Sequence, residues 1–207
     1  SARLGRPFVK RYREERESIV MLLIDMSASL KFGTFSGQKL ETVAEVASVL
    51  AFNAIKNNDK VGAIFFSDQV EKYIPPKKGS AHVWRVIKEI FTFVPQGRGT
   101  DIGSALAFYT RISKKRSFVF ILSDFLGKGY ENPLKIARQK HEPIGIRIYD
   151  EGAFHLPLKG IVRFSDFETG KRILFDASDR RTKKSFLRAK QSGHQETQAL
   201  FSKAKTD

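Results

Sequence analysis

Residues 19–24 read Ile-Val-Met-Leu-Leu-Ile, six apolar side chains in succession, and Asp25 ends the run. A strand with one solvated face alternates between apolar and polar. A run that is apolar throughout is what a strand of a parallel sheet, covered by helices on both faces, requires. This stretch therefore points to an α/β architecture. Asp25, Ser27 and Ser29 follow at alternate positions. A short extended stretch or tight loop there turns three oxygen-bearing side chains toward one point at the strand's C-terminal end, the usual place for a site in an open α/β sheet. The same residues also suit a simple turn cap, so the choice between the two readings rests on the rest of the chain.

Two further stretches repeat the buried-strand pattern: residues 60–66, Lys-Val-Gly-Ala-Ile-Phe-Phe, and residues 117–123, Ser-Phe-Val-Phe-Ile-Leu-Ser, the latter followed by Asp124. Between them lies helical spacing. Leu40, Val43, Ala47, Leu50 and Ala54 mark a helix over residues 39–56, and the periodicity of residues 80–91, 102–111 and 132–140 predicts three more. Ser67-Asp68-Gln69 is short enough to turn the chain back into an antiparallel strand over residues 70–74. That strand belongs at an edge, stopped by Pro75-Pro76. Residues 143–149 alternate more and predict a less buried strand. A hairpin is expected over 161–167 and 171–175 about a Glu168-Thr169-Gly170 turn. Ser178 or Asp179 caps a last helix running toward Lys205, with Gly193 as its weak point.

The expected fold is thus α/β: a doubly wound, mostly parallel sheet with one antiparallel edge strand, flanked by helices, plus a C-terminal β-hairpin and helix. Residues 1–17 form a basic N-terminal flank, 18–150 the core, and 151–207 a hairpin and helix completing the same domain. The chain starts at Ser1 rather than Met, and the expectation is a fragment or processed form.

With 207 residues and 41% hydrophobic content, one good core is available. No apolar run approaches the ~20 residues of a membrane span. Cysteine is absent, which excludes disulfides, thiolate metal sites and cysteine nucleophiles and fits a cytoplasmic location. The net charge of +15 attracts nucleic acid, anionic lipid or an acidic protein surface. Basic residues crowd the two ends, Arg3, Arg6, Lys10, Arg11 and Arg13 at one and Arg180, Arg181, Lys183, Lys184, Arg188 and Lys190 at the other. Neither an RNA-binding aromatic signature nor a recognition-helix pattern accompanies them. They are read as solvated flanks, and nucleic acid is not the expected partner.

If the strand at 19–24 lies centrally, right-handed crossovers put the 60–66 strand on one side and the 117–123 strand on the other. The switch point then falls between the strands that end in Asp25 and Asp124. Like charges at one crevice repel unless a cation sits between them. Thr100, in the glycine-rich loop spanning residues 97–103, is placed to add a hydroxyl. Two carboxylates with three hydroxyls, and no sulfur or imidazole, select magnesium, manganese or calcium over zinc or copper. Two carboxylates only balance a divalent ion, so the metal keeps affinity for one further anionic oxygen.

Asp25-Met-Ser27-Ala-Ser29, Gly99-Thr100-Asp101 and Leu122-Ser123-Asp124 resemble the Asp-x-Ser-x-Ser…Thr…Asp motif of von Willebrand factor A domains, the metal-ion-dependent adhesion site (MIDAS). The phrases Gly5-Arg-Pro-Phe-Val-Lys-Arg-Tyr, Ile74-Pro-Pro-Lys-Lys-Gly and Phe175-Asp-Ala-Ser-Asp-Arg-Arg are similar to those of the bacterial family called domain of unknown function 58. The resemblance implies a metal-dependent protein-interaction module, an adaptor or chaperone-like partner of MoxR-type AAA+ ATPases or their clients, engaged through an acidic residue. It also implies that Ser27, Ser29 and Thr100 bind the metal directly, with Asp25 or Asp124 acting directly or through water. Members of that family carry more chain before the equivalent of Arg6 and a final strand after the last helix, which agrees with the fragment reading.

Two other classes remain beside this one: a magnesium-dependent hydrolase or phosphoryl-transfer enzyme, and a basic nucleic-acid-binding domain. Against catalysis, the chain has no Asp-x-Asp nucleophile pair, no Gly-x-Ser-x-Gly elbow and no P-loop. His82, His141, His155 and His194 lack ligand or triad spacing and are read as ordinary surface or helix-flank residues. A non-enzymatic role is expected.

Overall fold

The computed structural model describes residues 17–31, 38–149, 161–165, 172–176, 178–179, 181, 193 and 195–204. Five strands form the main sheet: β1 (Ile19–Asp25), β2 (Lys60–Phe66), β3 (Val70–Lys77), β4 (Phe118–Ser123) and β5 (Glu142–Arg147). Their spatial order is β3-β2-β1-β4-β5. β1 pairs in parallel with both β2 and β4, β4 pairs in parallel with β5, and β2 pairs antiparallel with β3, the one antiparallel pair of this sheet. The apolar run of β1 is therefore central, as its composition demands.

The side chains of β1 divide between two cores. Val20, Leu22 and Ile24 join one, with residues of α2 (Gln38–Lys56) and α3 (Ser80–Thr92) such as Val43, Ala47, Val83 and Ile87. Met21 and Leu23 join the other, with Ile102, Leu106 and Tyr109 of α4 (Ile102–Ile112) and Leu134 of α5 (Glu131–Lys140). Alternate residues point to opposite faces of a strand, so a continuous apolar run feeds both layers at once.

Several local expectations are corrected. β3 does not stop at Pro75-Pro76 but runs through them to Lys77. Ala63 faces Ile74 and Val61 faces Lys77, so Gly62 alone stands opposite both prolines in a bulge. A Cβ at Gly62 would lie 2.9 Å from the Ile74 carbonyl oxygen and from the Pro76 nitrogen, so only glycine admits so close an approach. An edge strand tolerates the missing proline N–H groups because no further strand needs them. The stretch after Asp25 is not extended throughout: Ala28–Lys31 forms a single helical turn, α1.

His141 is not a surface residue. It is 1% exposed, its Nδ1 lies 3.0 Å from the Ser117 hydroxyl, and that hydroxyl lies 2.8 Å from the Tyr109 hydroxyl. Its position at the C-cap of α5 turns the chain directly into β5, which draws the ring beneath α4 and against Tyr109, 4.9 Å between centroids. Burial, and then the charge of Lys140, push its pKa down. His82 is half-buried, with Nε2 3.0 Å from the Val61 carbonyl. His155 and His194 lie outside the described residues.

A separate antiparallel pair, β6 (Ile161–Ser165) and β7 (Arg172–Asp176), is the expected hairpin; the turn predicted at 168–170 lies outside the described residues. The Asp179 carboxylate accepts the Arg181 N–H at 3.0 Å, as a cap would, and residues 195–203 are helical. Phe201 and Ala204 join the second core. The Phe201 ring meets Phe125 edge-on at 5.2 Å, and it covers Gly145 so closely that a Cβ there would lie 2.5 Å from it.

Candidate functional site

Because Ile24 of β1 is in register with Leu122 of β4, both strands end at the same height. Asp25 and Ser123 are the terminal residues of these strands, and Asp124 follows at once. The Ser123 hydroxyl donates to Asp25 Oδ2 at 2.5 Å, and the Ser27 backbone N–H donates to Oδ1 at 2.8 Å. Asp25 is thereby held from both sides, and Asp25, Ser27 and Ser123 are all fully buried. The hydroxyls of Ser27 and Ser29 lie 2.9 Å apart. Burial pushes the Asp25 carboxyl up to about 7; the hydrogen bonds from Ser123 and Ser27 pull the other way, and the charge of Asp124 adds to the rise.

Asp124 is 4% exposed. Its Oδ1 accepts the Leu126 N–H at 3.2 Å, while Oδ2 is buried with no hydrogen-bond partner among the described residues. The chain turns sharply here. Phe125 sits at φ +57°, and its N–H donates to the Ser123 hydroxyl at 3.1 Å. The side chain of Ser123 thus holds both the Asp25 carboxylate and the strained residue after Asp124.

Thr100 lies on the loop between α3 and α4, which reaches the site through its backbone. Ala28 N–H donates to the Arg98 carbonyl at 3.0 Å, and Asp101 N–H to the Ser67 carbonyl at 2.7 Å. On the other side, a Cβ at Gly127 would lie 3.0 Å from the Thr100 carbonyl oxygen and 3.3 Å from its Cγ2. The loop is therefore wedged between the serine turn after β1 and the loop after Asp124. Asp101 caps α4, its Oδ1 accepting Ser104 N–H at 2.9 Å.

All five predicted residues are thus gathered at one end of the sheet: Asp25, Ser27, Ser29 and Asp124 around the β1 and β4 termini, and Thr100 beside them. Among the described residues there is no group of three or more His, Cys, Asp or Glu disposed to hold a metal. Any cation at this end depends on hydroxyls for most of its protein ligands.

Two contributors escaped sequence reasoning. Ser123 stands in the sequence as the last residue of a strand and in the Leu122-Ser123-Asp124 phrase, with no role of its own assigned there. Glu71 gave no local signal, yet its Oε1 accepts Gly97 N–H at 2.8 Å, Gln96 N–H at 3.1 Å and the Ser67 hydroxyl at 2.7 Å. Burial pushes the Glu71 carboxyl up, but the Gly97 N–H, the Ser67 hydroxyl and the Gln96 N–H outweigh it and hold the group below the usual carboxylate range. Gly97 is needed because a Cβ there would fall 2.3 Å from the locked Ser67 Oγ. We expect Glu71→Ala to speed amide exchange over residues 96–101 by roughly tenfold or more, each hydrogen bond to a charged group being worth about 1.5–3 kcal/mol. Glu71→Gln, whose amide oxygen still accepts, should keep most of the protection. Unchanged exchange in Glu71→Ala would remove Glu71 from the account.

A family model described as "Protein of unknown function DUF58" matches residues 1–197. The chain belongs to the DUF58 family. An uncharacterized protein of Mycobacterium tuberculosis is 30% identical over 173 residues, 82% of this DUF58 chain and 55% of that protein; the chain spans about half the length of the curated relatives it matches. Among solved structures, the conserved hypothetical protein BatB from Bacteroides thetaiotaomicron superposes with a TM-score of 0.54 at 19% identity, over 81% of this chain and 83% of that one. Proximal thread matrix protein 1 from the mussel byssus, solved with zinc in its MIDAS motif, superposes with a TM-score of 0.51 at 20% identity, over 63% of this chain and 38% of that one. The fold of this DUF58 chain is von Willebrand factor A-like: a mixed sheet of five strands flanked by helices. No helix among its described residues is long and apolar enough to cross a membrane.

Proposed function

We propose that this DUF58 chain is a protein-interaction module in which Asp25, Ser27, Ser29, Thr100 and Asp124 hold a hard divalent cation, magnesium or in its place manganese or calcium, and present it to a carboxylate of a partner. The observation that carries this reading is a pair of buried carboxylates at adjacent strand ends, one of them with an oxygen that has no donor among the described residues. Buried charge is costly unless it is paired. A hard cation fits this donor set of carboxylate and hydroxyl oxygens. When bound, the ion would supply Lewis-acid affinity for an anionic oxygen.

The chain's own residues orient that chemistry. Ser27 N–H and Ser123 Oγ–H fix the plane of Asp25, the serine turn places its two hydroxyls side by side, and the loop anchored by Glu71 brings in Thr100. The net charge of +15 steers an acidic partner toward the molecule. A zinc-occupied MIDAS motif in a protein of similar fold supports the metal reading. On the family resemblance, the partner of this reading is a MoxR-type AAA+ ATPase, or its client, engaged through a Glu or Asp. A non-enzymatic role belongs to this reading, and it is supported by the burial of Ser117, Tyr109 and His141, which takes the one histidine–hydroxyl group among the described residues out of reach of a substrate.

The test is capture of a MoxR-type ATPase by the wild type and by Asp25→Ala, each in magnesium and in EDTA. Capture is expected only by the wild type in magnesium. Equal capture in all four lanes would defeat the cation bridge, and steady magnesium-dependent turnover of a phosphate ester by the purified chain would move the protein to the enzyme class.

A further inference from the structure

On the sheet face covered by α2 and α3, the two helices leave a groove of about 580 Å³ lined by Glu41, Ala44, Glu45, Ser48, Val49 and Phe91. Its apolar walls are open to solvent: Val49 is 69% exposed and Phe91 55%. The apolar strip continues past the groove, where the exposed Phe52 and Trp84 meet edge to face at 5.5 Å. Glu41, Glu45, Val49 and Phe52 follow one stripe of α2, being three or four residues apart. The stripe is therefore acidic near the start of α2 and apolar beyond it.

Both glutamates are exposed and neither forms an ion pair among the described residues. Lys88, which lies between Trp84 and Phe91 along α3, is not part of the lining. Glu41 suits the first turn of a helix, where it complements the macrodipole. Glu45 is one turn too far to share that role, and two like charges at i and i+4 repel by a few tenths of a kcal/mol. On a chain of net charge +15, an acidic end to an apolar groove is a local reversal of sign. Two copies of such a chain repel each other, which disfavours a second copy as the occupant.

We infer that this groove is a docking site for an amphipathic helical segment of a partner protein, its apolar side chains on Val49, Phe91 and the Phe52–Trp84 pair and its Lys or Arg residues on Glu41 and Glu45. Helix-in-groove recognition uses this combination of apolar anchors and flanking charge. The site is separate from the strand-end carboxylates and works without a cation.

Trp84 is the sole tryptophan of the sequence and reports on the groove directly. The probe is a synthetic helix of about 18 residues with leucines on one face flanked by lysines, beside a counterpart with every lysine replaced by glutamate, both titrated in EDTA. The lysine peptide should shift Trp84 emission saturably, with affinity at least tenfold weaker in the double variant Glu41→Gln/Glu45→Gln, and weaker also on going from about 0.1 to 1 M salt. The glutamate peptide should give no shift. Both substitutions are on exposed side chains, and far-UV circular dichroism identical to the wild type is the control for folding. No response to the lysine peptide, an equal response to the glutamate peptide, or unchanged affinity in the double variant would overturn the inference. Sedimentation showing a dimer that buries Trp84 would do so too, by assigning the groove to a second copy. Because EDTA is present throughout, none of these results bears on the cation bridge.

Discussion

In metal-free buffer, Asp25→Asn should be more stable than the parent chain at pH 8 and should lose that advantage by pH 4. Burial holds the Asp25 carboxyl at about 7 against an ordinary value of 3.8. The folded state therefore takes up a proton that the unfolded state does not hold between these values. The stability this group contributes is fully present below its unfolded pKa and is lost as pH rises through the folded one. At 1.36 kcal/mol per pKa unit, the penalty above pH 7 is on the order of a few kcal/mol. Asparagine removes the charge and keeps an oxygen to accept from Ser27 N–H or Ser123. Glu17, Glu71 and Glu131, held below their ordinary value of 4.5, act at lower pH and in the opposite direction, and His141, lowered from 6.5 by burial, opposes Asp25 below that value. All four are common to both proteins, so the difference between the two slopes over about pH 4.5 to 7 belongs to Asp25. Urea midpoints of both proteins across pH 4–8 in EDTA measure it, and parallel curves would count against a strained Asp25. In excess magnesium the order should invert, because the parent gains ligand-linked stability that the variant loses.

Ser123→Ala should be the most damaging single change at this end of the sheet. The hydroxyl donates to the buried Asp25 Oδ2 and accepts from Phe125 N–H, so its removal orphans a carboxylate oxygen and a backbone donor together. The expected loss is about 2–4 kcal/mol at pH 8. It should shrink at pH 4, where Asp25 is neutral and costs less to leave unpaired. With one of its compensating hydrogen bonds gone, the Asp25 carboxyl should also titrate at a higher pH than in the parent. Denaturant unfolding at the two pH values gives both results, and a loss below about 0.5 kcal/mol or one indifferent to pH would show that Ser123 is not the support of Asp25.

The placement of Asp25 and Asp124 is legible in the amino-acid sequence because it follows from local pattern. An apolar run that stops on an acid announces both a buried strand and what stands at its end, and right-handed crossovers then fix which strands are neighbours. The places of β3, β2, β1 and β4 in the order β3-β2-β1-β4-β5 are what those rules predict, and the place of β5 beside β4 comes from the structure. The failures share a different cause. Pro75-Pro76 reads as a strand stop, but Gly62 on the neighbouring strand lets the bulge close, and that permission is written in another segment. His141 reads as an ordinary surface or helix-flank residue; it does flank α5, but its burial depends on Tyr109 and Ser117, which arrive from α4 and the approach to β4.

By itself, then, the sequence determined most of the elements of the main sheet and its helices, the centre of the sheet and which five oxygen-bearing residues are candidates for the site, because hydrophobic period, turn residues and motif spacing all act over a few neighbouring positions. Only the tertiary structure decided how those residues are held. Ser123 supports Asp25 from 98 residues away and Glu71 anchors Gly97 from 26 residues away. The burial that drives Asp25 up to about 7 comes from the closing of the sheet between its helical layers. Such effects depend on which segments exclude water together, and no single stretch of chain carries that information.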